Sequence, residues 1–302
     1  MQLFINAGFS MAVRFSTQES LENFLKNNYS DPEELRIIRE TLERLRNEYS
    51  AQTTPAEDNP ELIIATSALC TERTPLLKKL CEDPKNNRIL LDQDVIRQAL
   101  PLFTNTIEKC CDEGMTTQEA DKIAFGKYRN ASLYIYHSLV SHFCERDHNV
   151  ALSFTANSFS SGGPEEMVRQ AQEDGHACEV IVINAPYNKL LESAEARKET
   201  TEKLVSTEYI DANYQRLPEV ALSILENDFS CSFYWHPQGQ EEPTFVLRKN
   251  QNDMLTIEDE EAYEDFLGNM PPREREAFEM EVEKRLDLQG SPEPSPFDPG
   301  LD

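Results

Sequence analysis

Between residues 31 and 49 apolar positions recur on a helical period. Leu35, Ile38, Leu42, Leu45 and Tyr49 fall on one face. Asp31 is placed as the N-cap, Pro32 suits the first helical position, and Glu34 completes a capping-box-like pair. The stretch 50–60 (SAQTTPAEDNP) is polar and proline-bearing and predicts a linker. From 61 to 250 short apolar runs alternate with helical patterns. The runs Leu62–Thr66, Arg88–Asp92, Asn149–Thr155 and Cys178–Ile183 predict four strands, and Ser230–Trp235 with Thr244–Leu247 predict two more. Helical periods fill 75–81, most of 94–146 with interruptions near Pro101 and Gly114, the stretch from Gly163 to Gly175, and much of 186–227.

Strands separated by helices predict an α/β fold, with a parallel sheet flanked by helices on both faces. No internal repeat is visible. Residues 257–285 are acidic and helical in pattern. Four prolines among the last 12 residues, SPEPSPFDPGLD, predict a disordered tail. The organisation expected is an N-terminal helical region and linker (1–58), an α/β domain (59–250), and an acidic helical segment with its tail (251–302).

Charge narrows the partners. The net charge is -26, which disfavours nucleic acid because a duplex binder sets cations against phosphates. Residues 251–302 hold 16 acidic and 4 basic side chains and so carry nearly half of that charge. No run reaches the roughly 20 apolar residues of a membrane span, and the N-terminal 15 residues lack the parts of a signal peptide. Seven cysteines, an odd number without CxxC spacing, read as reduced cytosolic thiols. Five histidines form no zinc motif. The chain is expected in the cytoplasm.

In a parallel α/β sheet, ligands gather at the carboxyl ends of the strands. The first strand here runs into Ser67 and the stretch to Thr74. The second ends at Asp92-Gln93-Asp94, followed by Arg97. The third ends at Thr155-Ala156-Asn157, and Arg197 and Arg216 follow the fourth. Carboxylates, hydroxyls and guanidiniums converging on one cleft suit phosphoryl transfer: an acid accepts a hydroxyl proton or holds Mg²⁺, and arginines hold phosphate oxygens.

The order and spacing of these residues over roughly 60–235 resemble the zeta-toxin family of P-loop kinases. Asn149–Pro186 is similar to that family's strand, threonine, helix, turn and proline-ended strand, and LLDQDVIRQALP is similar to its D-x-D-x-[FI]-[RK] segment. The resemblance implies a P-loop nucleotide-kinase-like fold, with Asp92 or Asp94 as catalytic base. It implies Thr155 at the substrate, where the strand-end residues Asn157 and Arg97 are expected beside it, and Arg73, Thr74, Arg197 and Arg216 at nucleotide phosphates, Thr74 also as the Mg²⁺ ligand. ATP or GTP with Mg²⁺ and a hydroxyl substrate such as a nucleotide sugar are what an active member would use.

The chain departs from that pattern at its loop. A Walker A loop reads GxxxxGK[ST]. Ser67 and Glu72 stand at the glycine positions and Arg73 at the lysine, and Pro75 lacks an N–H where the helix start wants donors. The acidic residue expected before the third-strand threonine is absent, Ser153-Phe154 filling its place. A zeta-toxin-like pseudoenzyme that binds a protein partner is therefore one expectation, and an atypical phosphotransferase the alternative. Plainer roles stand beside these: Asp92 and Asp94 as strand end and N-cap, Thr155 and Asn157 as turn formers, Arg197 and Arg216 as surface ion-pair residues. His137 and His142 are expected to pack, and Cys70 has no local base. The glutamate-rich stretch before a flexible end also resembles translocation signals of type IV effectors, which implies action inside a host cell. An acidic solubilising tail has the same composition.

Overall fold

The computed structural model describes residues 18–68, 73–82, 87–160, 162–201 and 206–290. Two helices, α1 (Gln18–Asn28) and α2 (Pro32–Ser50), precede the first strand. Asp31 caps α2 by accepting from the Glu33 N–H at 2.8 Å. Glu34 does not close the expected capping box. Its carboxylate takes the Tyr128 hydroxyl at 2.9 Å and lies 3.0 Å from Lys127. Helix α1 was not expected, although Leu21 and Leu25 lie one turn apart and both are buried.

The alternating segment then builds β1 (Glu61–Ser67), α3 (Arg73–Glu82), β2 (Arg88–Leu91), α4 (Gln93–Gln98), α5 (Pro101–Asp112), α6 (Thr117–Cys144) and β3 (Asn149–Thr155). It continues with α7 (Ala156–Phe159), α8 (Gly163–Glu173), β4 (Ala177–Asn184), α9 (Tyr187–Thr201), α10 (Thr207–Glu226) and β5 (Ser230–Trp235). Strands β6 (Thr244–Lys249) and β7 (Leu255–Ile257) and helices α11 (Glu260–Gly268) and α12 (Pro272–Gly290) follow. The four strands expected at the centre all form. Gly175, at φ +90°, turns the chain out of α8 into β4.

The sheet order is β2-β3-β1-β4-β5-β6-β7. The first five strands run parallel, and β6 and β7 are antiparallel. The expected parallel sheet forms, and two antiparallel strands extend it at one edge. Only residues 236–243 join β5 to β6, too few for the crossover that parallel neighbours need. Strand β1 is central: the chain leaves it toward β2 on one side and later places β4 on the other, which makes its carboxyl end the switch point of the sheet.

The two faces are covered unequally. One carries a large core to which α1, α2, α4–α6, α8–α12 and the sheet all contribute. The other carries α3, whose Leu77 sits on Ile63, Ala65, Ala151, Ile181 and Ile183. The described part of the acidic C-terminal stretch belongs to the large core. Phe266 of α11 and Phe278 of α12 meet Phe233 of β5 edge-on, with ring centroids 5.8 and 5.3 Å away. Arg285, 6% exposed, joins Asp253 and Glu281 and ties α12 to the turn after β6. Among the described residues no helix is long and apolar enough to cross a membrane.

Candidate functional site

The site lies at the carboxyl ends of β1, β2 and β3. Strand register sets Ser67 beside Thr155 and Thr66 beside Phe154. The start of α3 brings Arg73 back over this edge. Its guanidinium donates to the Phe154 carbonyl and, at 3.1 Å, to the Ser67 hydroxyl. The Arg73 cation therefore sits between the ends of β1 and β3, where a phosphate-binding lysine is expected. Glu72 and Cys70 lie outside the described residues.

Thr74 places its Oγ1 3.4 Å from Oδ2 of Asp92. The other oxygen of Asp92 accepts from the Asp94 N–H at 2.7 Å and from the Val95 N–H at 3.3 Å, which caps α4. Asp94 is exposed on the first turn of α4 and pairs with Arg97 at 2.8 Å. Arg97 also lies over the Phe125 ring, 4.7 Å from its centroid. Between the two candidate acids, Asp92 is the one the fold sets against the altered loop.

Thr155 caps the short α7, its Oγ1 accepting from the Ser158 N–H at 3.3 Å and lying 3.1 Å from the Ser158 hydroxyl. The Asn157 N–H donates to Oδ1 of the fully buried Asn213, which fastens α7 to α10. Arg216, also on α10, is 48% exposed by side chain and pairs with Glu219 at 2.6 Å. Arg197 lies on α9, with its side chain outside what is described. The structure thus gathers Ser67, Arg73, Thr74 and Asp92 at one edge, with Thr155 in register beside Ser67, and gives Arg97 and Arg216 partners on their own helices.

Sequence reasoning missed two tyrosines. Tyr136 of α6 is fully buried, its ring 6.1 Å from that of Phe154, and its hydroxyl has no hydrogen-bond partner among the described residues. Burial, and after it the charge of Asp92, push its phenol far up. Tyr49 of α2 is raised in the same way, by burial and then by Asp92. Tyr49 is visible in the sequence only as the last apolar position of α2, and Tyr136 only as one residue of a long helix. No group of three or more His, Cys, Asp or Glu able to hold a metal occurs among the described residues. Among the described residues, a cation here would rest on Asp92 and Thr74.

Five parallel strands in the order 2-3-1-4-5, with a helix rising from the end of β1, define an α/β fold of the P-loop kinase kind. No protein-family model and no curated protein matches the chain. Solved structures do. One, from the PezAT chromosomal toxin–antitoxin system of Streptococcus pneumoniae, is 16% identical with a TM-score of 0.55, over 84% of this chain and 95% of the other. The native AvrRxo1-ORF1:-ORF2 complex is 13% identical with a TM-score of 0.57, over 88% and 89%. The same complex with ATP is 12% identical with a TM-score of 0.58, over 89% and 90%. The chain has the zeta-toxin-like fold that its motifs suggested.

Proposed function

We propose that this chain is a zeta-toxin-like pseudoenzyme, a protein-binding or regulatory module built on a kinase fold. The orientation of Arg73 supports this most strongly. A loop lysine serves phosphate when its ammonium faces the cleft and backbone N–H groups surround it. Here the side chain at that position is spent on the Phe154 carbonyl and the Ser67 hydroxyl. The cation that should meet phosphate instead fastens β1 to β3. Glycines that would turn N–H groups toward a nucleotide are absent from 67–74.

A protein partner fits the company the fold keeps. One similar structure comes from a toxin–antitoxin system and another is a complex of two open reading frames. The acidic surface and the glutamate-rich stretch 251–290 also fit a chain that acts in a host cytosol after translocation, which a translocation reporter fused to the chain tests.

The pair Thr74 and Asp92 favours a second reading, an atypical ATP- or GTP-dependent phosphotransferase acting on a hydroxyl substrate. A hydroxyl and a carboxylate at that distance can share a Mg²⁺ ion, or the carboxylate can take a substrate proton. A similar structure has been solved with ATP. In this reading Arg73, Arg197 and Arg216 supply phosphate contacts and Thr155, Asn157 and Arg97 meet the substrate. Calorimetric titration with ATP and GTP, with and without Mg²⁺, separates the two. The pseudoenzyme reading expects a Kd above ~100 μM for both nucleotides. Low-micromolar binding that Arg216→Ala abolishes establishes the phosphotransferase reading instead.

A further inference from the structure

A notch of about 290 Å³ lies between α10 and the turn from α11 to α12, with none of the cleft residues in its walls. Tyr214, Gln215 and Pro218 line it on one side, and Asn269, Met270 and Pro271 on the other. Hydrogen bonds fix its back. Nδ2 of Asn269 donates to Oδ1 of Asn184 and to the Ala185 carbonyl, each at 3.1 Å, at the end of β4. Oδ1 of Asn269 is therefore the atom turned to Tyr214, and it accepts the Tyr214 hydroxyl at 3.0 Å. The Tyr187 ring packs against that of Tyr214, with centroids 5.2 Å apart.

The walls hold acceptors and few donors. The Tyr214 hydroxyl and both Nδ2 hydrogens of Asn269 are spent on the bonds just given. The Asn269 N–H donates to the Asp265 carbonyl at 3.2 Å, and the Met270 N–H to the Leu267 carbonyl at 2.9 Å. Pro218 and Pro271 have no N–H. Pro218 also sits inside α10, so the Tyr214 carbonyl lacks the donor that residue i+4 supplies elsewhere in a helix. Both ends of that missing bond line the notch. Of the lining side chains, the exposed Gln215 alone brings uncommitted donors, together with an acceptor of its own. The cations nearest in the chain do not fill the space. Arg216 and Arg275 are paired with Glu219 and Glu279 at 2.6 and 2.9 Å, and Arg273 is exposed. The stretch that supplies one wall, 251–302, holds 16 acidic and 4 basic side chains.

Acceptors in acidic surroundings select a group that donates and does not accept. Among cationic side chains, ammonium and guanidinium do so. A guanidinium is planar, weakly hydrated and stacks on aromatic faces, which suits the Tyr214 wall. Its five N–H groups can meet the Tyr214 carbonyl, Oδ1 of Asn269 and Oε1 of Gln215 together. We propose that this notch docks an arginine side chain from a basic segment of a protein partner. The apolar stem lies along Pro218, Met270 and Pro271, and the guanidinium meets the three acceptors. The inference rests on the reading of the chain as a protein-binding module, and it gives the partner a charge and a point of entry.

Met270 reports the notch directly. The full chain, isotope-labelled at its methionine methyls and followed by NMR, is titrated with a glycine–serine peptide that has blocked ends and one central arginine. The Met270 resonance is expected to move and saturate, while those of the exposed Met254 and Met280 stay in place. The same peptide with citrulline for arginine, which is uncharged and carries an acceptor, moves nothing. Pro218→Ala gives the Tyr214 carbonyl its helical donor and should weaken binding about tenfold, although it removes bulk from the wall. Gln215→Lys, at an exposed position, sets a tethered cation at the mouth and abolishes the shift. The inference is refuted by a Met270 resonance that does not move, or by an equal response to the citrulline peptide. It is refuted too by equal shifts at Met254 and Met280, which mark general attraction of a cation to an acidic chain, or by an affinity that Pro218→Ala leaves unchanged. Nucleotide titration decides the pseudoenzyme reading separately: weak nucleotide binding with an unmoved Met270 keeps that reading and ends this inference.

Discussion

The hydroxyl of Thr74 faces one oxygen of the Asp92 carboxylate at 3.4 Å, while the other oxygen caps α4 through the N–H groups of Asp94 and Val95. One side chain is thus shared between holding the fold and facing the cleft. A carboxylate kept for chemistry commonly costs stability, and its removal then stabilises the protein. A carboxylate kept as an N-cap does the reverse.

Asp92→Ala is therefore expected to lower stability by about 1 kcal/mol, the usual worth of an N-cap. Asp92→Asn, which still offers an acceptor oxygen, should stay within roughly 0.5 kcal/mol of the unmodified chain. Urea unfolding followed by circular dichroism measures both. A more stable Asp92→Ala variant would indicate an acid maintained for catalysis.

Nucleotide affinity should respond to the loop. The triple substitution Ser67→Gly, Glu72→Gly and Arg73→Lys restores flexible N–H donors and a compact ammonium, and releases the Phe154 carbonyl. ATP binding with Mg²⁺ is expected to tighten at least tenfold, about 1.4 kcal/mol. Unchanged calorimetric traces would mean that the rest of the cleft no longer fits a nucleotide.

The C-terminal helices should be needed for folding. Phe233 is fully buried between Phe266 and Phe278, and each such side chain contributes roughly 1.5–3 kcal/mol by leaving water. A chain ending at residue 250 is expected to lose its cooperative thermal transition. Arg285→Ala keeps the phenylalanines but leaves Glu281, 11% exposed by side chain, with only the exposed Lys284 as its cation. About 2 kcal/mol of stability should be lost, less than for a wholly buried pair because Asp253 is half exposed.

Acid should weaken the fold before the carboxylates titrate. Burial holds His137 down to about 4, from an ordinary value of 6.5, and His142 likewise to about 4, burial acting first and Arg146 after it. His148 is lowered by the same two causes. The folded chain keeps these rings neutral while the unfolded chain takes up protons. Their contribution is complete above about pH 6.5 and is lost as the pH falls toward 4. Urea midpoints should drop between pH 7 and 5, and His137→Phe should reduce the drop. An unchanged pH dependence in that variant would show that His137 takes up its proton equally in the folded and unfolded chains.

Much of this was legible in the sequence, and the reason differs by element. The strands of the parallel core are short apolar runs between helical periods, so their places follow from local pattern. An aspartate cap at the start of α4 follows from residue type and position, because capping acts over two or three residues, although the cap is Asp92 and not Asp94, and Thr155, expected in a turn, caps α7. Helix α1 escaped notice because its buried face is only Leu21 and Leu25, with Phe24 partly buried beside them.

Sequence by itself determined that the chain alternates strands with helices, that the loop after β1 lacks glycine and lysine, and that the C-terminal stretch is acidic. Those are properties of composition and neighbouring residues. Only the tertiary structure decided where Arg73 turns, because its partners, Ser67 and the Phe154 carbonyl, are brought beside it by the pairing of β1 with β3 across more than 80 residues. It alone brought Asp92 within electrostatic reach of Tyr49 and Tyr136, and it alone joined Lys189 of α9 to His236 in the loop after β5. Contacts of that kind depend on which strands lie side by side, and no local period in the chain encodes the order of a sheet.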